Sequence, residues 1–336
     1  MALLFMDGFD HMGTSDTILL TKWASGAGAE APSTLAARTG THGLSMGSGA
    51  STLISKALAA SGGFVVGFAA RAPSSWGTAD LLQVREGTTA HLGVGLDGSG
   101  HLTVLRGATV LATGTTVLAV NTWYYLEFKG TIHDSTGAYD LRIDGVTELS
   151  ASGVDTRNGG STGQWDRLYL GGQRHIDDLY VCDQSGAAPT NTFLGPVKIE
   201  LLLPQTDAVA AGSNAGLTPS TGTDHGAMVD ETPPNTTDYN SGATVGLKDT
   251  YNYPSLSLTG TILGVQTNLY VQKSDAGARS VCAVVRSGGT DYDGSNVSPG
   301  TSFGYVSEVR ALDPATSAAW TSSGVNALQA GMKVTV

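Results

Sequence analysis

The sequence predicts an all-β protein built from two β-sandwich domains, and three observations carry that prediction. Glycine stands at 46 of 336 positions, charged residues make up only 14%, and apolar residues reach 40%. The apolar residues alternate with polar ones in short runs, and turn-forming residues punctuate those runs. Few segments place Ala, Leu, Glu and Lys at the 3.6-residue spacing that long helices need. Regular apolar runs argue against disorder, the competing reading of a chain so rich in Gly, Ser and Thr. The length suits two ordinary domains or one large β domain.

The elements follow in order. "ALLFMDGF" opens the chain as a strand, and a Gly/Ala/Thr-rich loop containing Trp23 follows. "GLSMG" is a short strand, and "STLISKAL" (51–58) suits either a short helix or an outer strand. Strands are then expected at "GFVVGFAARA", "ADLLQVREG", "AHLGVGLD" and "HLTVLRG", with a hairpin turn at "DGSG" (97–100). The clearest signal is "WYYLEFKGTIHDSTGAYDLRIDG" (123–145). Tyr124, Leu126 and Phe128 share one face of a strand, and Tyr125, Glu127 and Lys129 share the other. Tyr139, Leu141 and Ile143 repeat the alternation after the turn residues "HDSTG". A second tight turn falls at Asp144–Gly145, and "WDRLYLGG" and "HIDDLYVCD" complete the region.

The texture changes near Gly195, dividing the chain into domains 1–194 and 195–336. The second domain is expected to begin with a strand at "VKIELLLP" and to carry a long polar loop from Ser220 to Gly242. Strands resume at "ATVGLKDTYNY", "TILGVQTNLYVQKSD", "GARSVCAVVRSGG" and "SFGYVSEVRAL". "KSDAGA" reads as a hairpin turn between the second and third of these. "WTSSGVNALQAG" reads as one or two helical turns capped by Thr321 or Ser322, and "MKVTV" as a final strand.

A net charge of −11 leaves no basic stripe to displace counterions from phosphates, so nucleic acid is not an expected partner. No stretch approaches the roughly 20 apolar residues of a membrane span, and no signal peptide is expected, because "MALLFMDGFD" lacks a basic start. Cys182 and Cys282 sit inside apolar strands a hundred residues apart and read as buried free thiols.

Three pieces of the first region resemble the concanavalin A-like, laminin-G-type jelly roll of lectins, glucanases and many phage particle proteins. They are "DGFD" (7–10), "WYYLEF" with "YDLRIDG", and "HIDDLYVCD". The resemblance implies that the first and last strands of the domain are neighbours. The second region is similar to a module that follows such jelly rolls in structural proteins of tailed bacteriophages. "TPSTGTDHGAMVDETPPNTTDY", "VGLKDTY", "ILGVQTNLYVQKSDAGARSVCAVVRSGG" and "DPATSAAWTSSGVNALQAGMKV" carry it. It implies a virion subunit of the tail or an external appendage. Such a subunit would be a homo-oligomer in contact with other virion proteins. The alternative is a lectin-like protein that attaches the particle to host-surface glycans.

The enzymatic branch of the jelly-roll family alternates glutamates on one strand to set two carboxyl groups about 5 Å apart. None of the seven glutamates here stands two or four residues from another, so the chain is expected not to be an enzyme. The seven histidines show no zinc spacing and read as surface or turn residues, and no phosphate-binding loop or G-x-S-x-G elbow is present. No cofactor is expected except calcium. Asp7, Asp10, Asp177, Asp178 and also Asp183 would gather if the first and last strands pair, and hard cations favour such oxygens. The favoured alternative has Asp177 accepting backbone hydrogen bonds and the other aspartates solvated. Carbohydrate binding needs exposed aromatics beside polar groups. Trp76 and Trp165, which sit by loops, are the best candidates, with Arg174; either Trp could equally cover the core, the commoner fate of that residue.

Overall fold

The structure is a computed structural model that describes residues 3–25, 30–47, 53–172, 174–208 and 216–336. Ala2 of the expected first strand, and Ser51 and Thr52 of "STLISKAL", lie outside the described residues. The fold is all-β and antiparallel throughout. The chain divides into two compact units, Met1–Ile199 and Glu200–Val336.

The first unit is a jelly-roll-like sandwich of two sheets. One sheet runs Val146–Val154, Gly137–Ile143, Tyr124–Thr131, Gly63–Arg71, His175–Cys182, Gly43–Ser45, Ala31–Ser33. Leu3–Asp7 also pairs with His175–Cys182, so the first and last strands of the unit are neighbours. The other sheet runs Thr109–Val117, His101–Arg106, Thr89–Leu96, Asp80–Glu86, Trp165–Gly171, Leu53–Ser61, Ala24–Ser25. The hairpin has the expected phase: Leu126 and Phe128 face Phe64, Leu92 and Leu168 in a single buried cluster, with Tyr139, Leu141 and Ile143 beside them. The second turn, Asp144–Gly145, which leads from Gly137–Ile143 into Val146–Val154, has φ values of 51° and 83°, as tight two-residue turns require.

Three expectations are corrected here. The loop containing Trp23 carries a helix, Asp16–Lys22, started by Ser15, whose hydroxyl accepts from the Ile18 amide. It forms because Leu19 and Trp23 reach the core one turn apart. "VKIELLLP" is not a strand, and at Val197 and Ile199 its chain bonds to side chains of the first unit rather than to a ladder. The Leu194, Gly195 and Ile199 amides donate to Tyr180 Oη, Glu127 Oε1 and Asp178 Oδ1, and Val197 O accepts from Arg38. These bonds carry the first unit on to Ile199.

The third correction concerns "KSDAGA", whose flanking strands do not pair. Val281–Ser287 lies between Gln329–Val334 and Thr290–Asp293 in a five-stranded sheet that continues to Lys248–Asn252 and Thr206–Asp207. Val265–Val271 instead pairs with Gly304–Arg310 as a separate two-stranded ribbon. The run V-C-A-V-V is buried on both faces and suits a central strand, whereas Val265–Val271 buries only alternate residues. A smaller apolar cluster of Val285, Trp320, Val325, Leu328 and Ala330 fills this unit. The short helix Ser322–Asn326 is capped by Thr321, which accepts from Gly324. Cys182 and Cys282 are buried free thiols. Among the described residues, no helix is long and apolar enough to cross a membrane.

Candidate functional site

The three residues expected to touch sugar are all interior. Trp165 is 0% exposed and Trp76 is 3% exposed. Their indole N–H groups donate inward, to Gly63 O at 2.9 Å and Ala119 O at 3.0 Å. Arg174 is buried with its guanidinium 4.9 Å from the Trp76 ring centroid, and it donates to the Trp76 carbonyl. Burial pushes its pKa down to about 10. The loop positions of these residues pointed outward, but their large apolar surfaces are covered by the core.

The aspartates do not gather into a calcium site. Asp7 accepts from Trp23 Nε1 and the Phe9 amide, and Asp10 from the amides of Thr41 and His42. Asp177 accepts from the amides of Arg38 and Thr39, as one expectation had it. Asp178 pairs with Arg38 at 2.6 Å and is fully buried rather than solvated. Asp183 accepts from the Ser185 amide and hydroxyl. Among the described residues no three His, Cys, Asp or Glu side chains are gathered to hold a metal ion. The histidines also depart from expectation: His91 is fully buried, with Nε2 3.3 Å from Glu86 Oε2.

The Asp177–Asp178 pair has a consequence for stability. Burial, with the Asp178 charge beside it, pushes the Asp177 pKa up to about 8. Between an unfolded value of about 4 and that folded value, the folded chain keeps a proton the unfolded chain has lost. Stability therefore falls as pH rises through that window. Asp177→Asn is expected to flatten the melting temperature against pH between about 4 and 8. A variant that keeps the wild-type slope contradicts the assignment.

The arrangement best suited to a ligand lies on the ribbon of the second unit. Cross-strand partners share a face, and the register sets Tyr270 opposite Tyr305, Asn268 opposite Ser307 and Gln266 opposite Val309. Thr267 and Leu269, in the opposite phase, are buried, while Gln266, Asn268, Tyr270, Tyr305 and Ser307 stay half-exposed. The Tyr270 and Tyr305 rings meet with centroids 4.9 Å apart, and Phe303 stacks on Tyr270 at 5.3 Å and 15°. Beyond the rings, Asn268 Oδ1 accepts from Ser307 Oγ at 2.7 Å and from Gln266 Nε2 at 3.0 Å. The two accepted bonds fix the amide, with Nδ2 as its donor.

Four residue rises along the strand, about 13 Å, separate Gln266 from Tyr270. The strip thus offers a ring cluster and a line of neutral hydrogen-bonding groups, with no carboxylate or cation among them. At the ring end, a pocket of about 180 Å³ is lined by Val271, Val297, Pro299, Gly300, Ser302 and Tyr305. The sequence signal for this site was the phase: Q-x-N-x-Y on one strand and F-x-Y-x-S on its partner place aromatics on the polar face.

No family model matches the chain, and no curated protein matches it. Solved structures that resemble it include a mutant Trypanosoma rangeli sialidase displaying trans-sialidase activity, at 17% identity and a TM-score of 0.34. That likeness covers 46% of this chain and 27% of the sialidase. A second protein titled sialidase matches at 13% identity and a TM-score of 0.39, over 54% of this chain and 18% of its own. Domain 4 of AbnA, a GH43 extracellular arabinanase from Geobacillus stearothermophilus in complex with arabinotriose, matches at 14% identity and 0.34, over 46% of this chain and 75% of that domain. The chain therefore spans less than a third of the length of these sialidases.

The expectation that the chain is not an enzyme is not upheld: the solved structures it resembles, at low identity and coverage, are sialidases and a domain of an arabinanase. Spacing along one strand does not exclude carboxylates that meet from separate strands. Side chains also converge from strands distant in sequence, as Tyr180 Oη and Glu127 Oε1 do at 2.6 Å.

Proposed function

We propose that this chain is a surface protein of a tailed-phage particle that attaches to host glycans through the Tyr270–Phe303–Tyr305 strip. The half-exposed ring cluster beside the Asn268–Ser307–Gln266 bonds carries this reading. A pyranose presents an apolar C–H face and equatorial hydroxyls, and needs an aromatic surface next to amide and hydroxyl groups in fixed orientation. The particle setting rests on the resemblance of the second region to phage structural modules. Screening the whole chain on an array of host-surface polysaccharides tests the reading. Binding to a defined glycan is expected, and no binding to any of them counts against it.

A second reading, assembly into the particle as a homo-oligomer against other virion proteins, draws on a different observation. Val110, Val117 and Val146 are 54%, 60% and 72% exposed on two edge strands of the first unit. Such edges are where one copy meets another. Sedimentation of the purified chain as a monomer at all concentrations counts against that reading.

A further inference from the structure

We propose that Asp7 and Lys22 condense to an intramolecular isopeptide bond joining the first strand, Leu3–Asp7, to the helix Asp16–Lys22. Lys22 Nζ lies 3.1 Å from Asp7 Oδ2, and both side chains are wholly buried. Their surroundings are aromatic. Lys22 Nζ is 5.1 Å from the Phe5 ring centroid, and Trp23 packs edge-on against Phe5 at 5.5 Å and near Phe9 at 6.0 Å.

A buried ion pair in such a setting lacks the hydration both charges had in water. Transfer of one proton across the 3.1 Å contact gives an amine and a carboxylic acid, the forms that condense. Burial pushes Lys22 below its usual value, toward the amine, whereas Asp7, which burial alone would raise, is held below its usual value by the Lys22 charge. Once the proton has passed and that charge is gone, burial favours the neutral carboxyl. Lys56, which donates to the Lys22 carbonyl at 2.8 Å, adds a further positive group beside it.

The remaining groups are placed for the reaction. His11 Nε2 is 3.1 Å from Lys22 Nζ. Burial, together with the Lys22 charge, depresses the His11 pKa to about 3, so its ring is neutral and presents a lone pair to Nζ; the part due to the Lys22 charge lapses once that proton has passed to Asp7. Trp23 Nε1 donates to Asp7 Oδ2 at 2.9 Å and the Phe9 amide to Asp7 Oδ1 at 2.9 Å. Both bonds polarise the carboxyl group, and the Phe9 amide faces the charge that develops on Oδ1 while Oδ2, protonated across the Lys22 contact, is the oxygen that leaves.

The step balances. The Nζ lone pair attacks Asp7 Cγ and forms the C–N bond. His11 Nε2 takes a proton from Nζ and returns it to the departing carboxyl hydroxyl, which leaves as water. Ammonium and carboxylate become an amide and one water, with no oxidant, metal or nucleotide.

Intact-mass measurement of the wild-type chain, denatured, is the first test. A mass about 18 Da below the sequence value is expected, after allowing for removal of the initiator Met. Tryptic digestion supplies the second. Lys22 and Arg38 are the first two cleavage sites, and an amidated Lys22 resists trypsin, so residues 1–38 are expected as one peptide lacking a water. Asp7→Ala and Lys22→Arg are each expected to restore the full mass, which is readable whether or not the variant folds. A wild-type chain of full mass, cut normally after Lys22, overturns the proposal. So does a lost water with normal cleavage there, which points to cyclisation at Asp7–Gly8 instead.

Discussion

Trp165→Ala is expected to destabilise the first unit by about 3–5 kcal/mol and to leave glycan binding unchanged. The side chain is 0% exposed, meets the Phe64 ring edge-on at 6.2 Å and sits in the cluster shared by both sheets. Truncation would open a cavity between sheets that cannot collapse, because the strands on either side are held by their ladders. It would also take the indole donor from Gly63 O. Chemical denaturation followed by intrinsic fluorescence measures the loss. A variant of wild-type stability that no longer binds glycan would return Trp165 to the role its loop position suggested.

Tyr270→Ala is expected to do the reverse. Its ring is the middle member of the Phe303–Tyr270–Tyr305 group, so its removal breaks both ring contacts at once. Aromatic anchors at binding sites typically cost about 2 kcal/mol or more on truncation, roughly thirtyfold in Kd. Stability should change little, because the ring is half-exposed and the buried residues of its strand, Thr267 and Leu269, lie in the other phase. Tyr270→Phe keeps the stacking surface and is expected to lose far less than tenfold. Titration calorimetry against the glycan found on the array reads both variants. An alanine variant that binds as tightly as wild type contradicts the site.

The particulars show which parts of this molecule sequence reasoning reaches. The hairpin at 123–145 was legible because its two strands are adjacent in the chain and one face of each is apolar. The cap at Thr321 was legible because capping is local. The partner of Val265–Val271 was not, since pairing depends on which strand is buried on both faces, and the nearest turn pointed to the wrong neighbour.

Burial misled in the same way. Glu127 shares a strand face with Tyr125 and Lys129, and its full burial, with the Gly195 amide donating to it, comes from chain that lies far off in sequence. Trp76 and Trp165 stand beside loops, where both an exposed and a core-covering role were open, and both fill the core. The Tyr270–Tyr305 pair was visible as an aromatic in the polar phase of each strand, but only the register brings the two together.

Hydrogen–deuterium exchange of the whole chain, with and without saturating glycan, tests the proposed site most directly. Slowed exchange confined to 265–271 and 303–310 is the predicted result. Protection elsewhere, with these two strands unchanged, would contradict it.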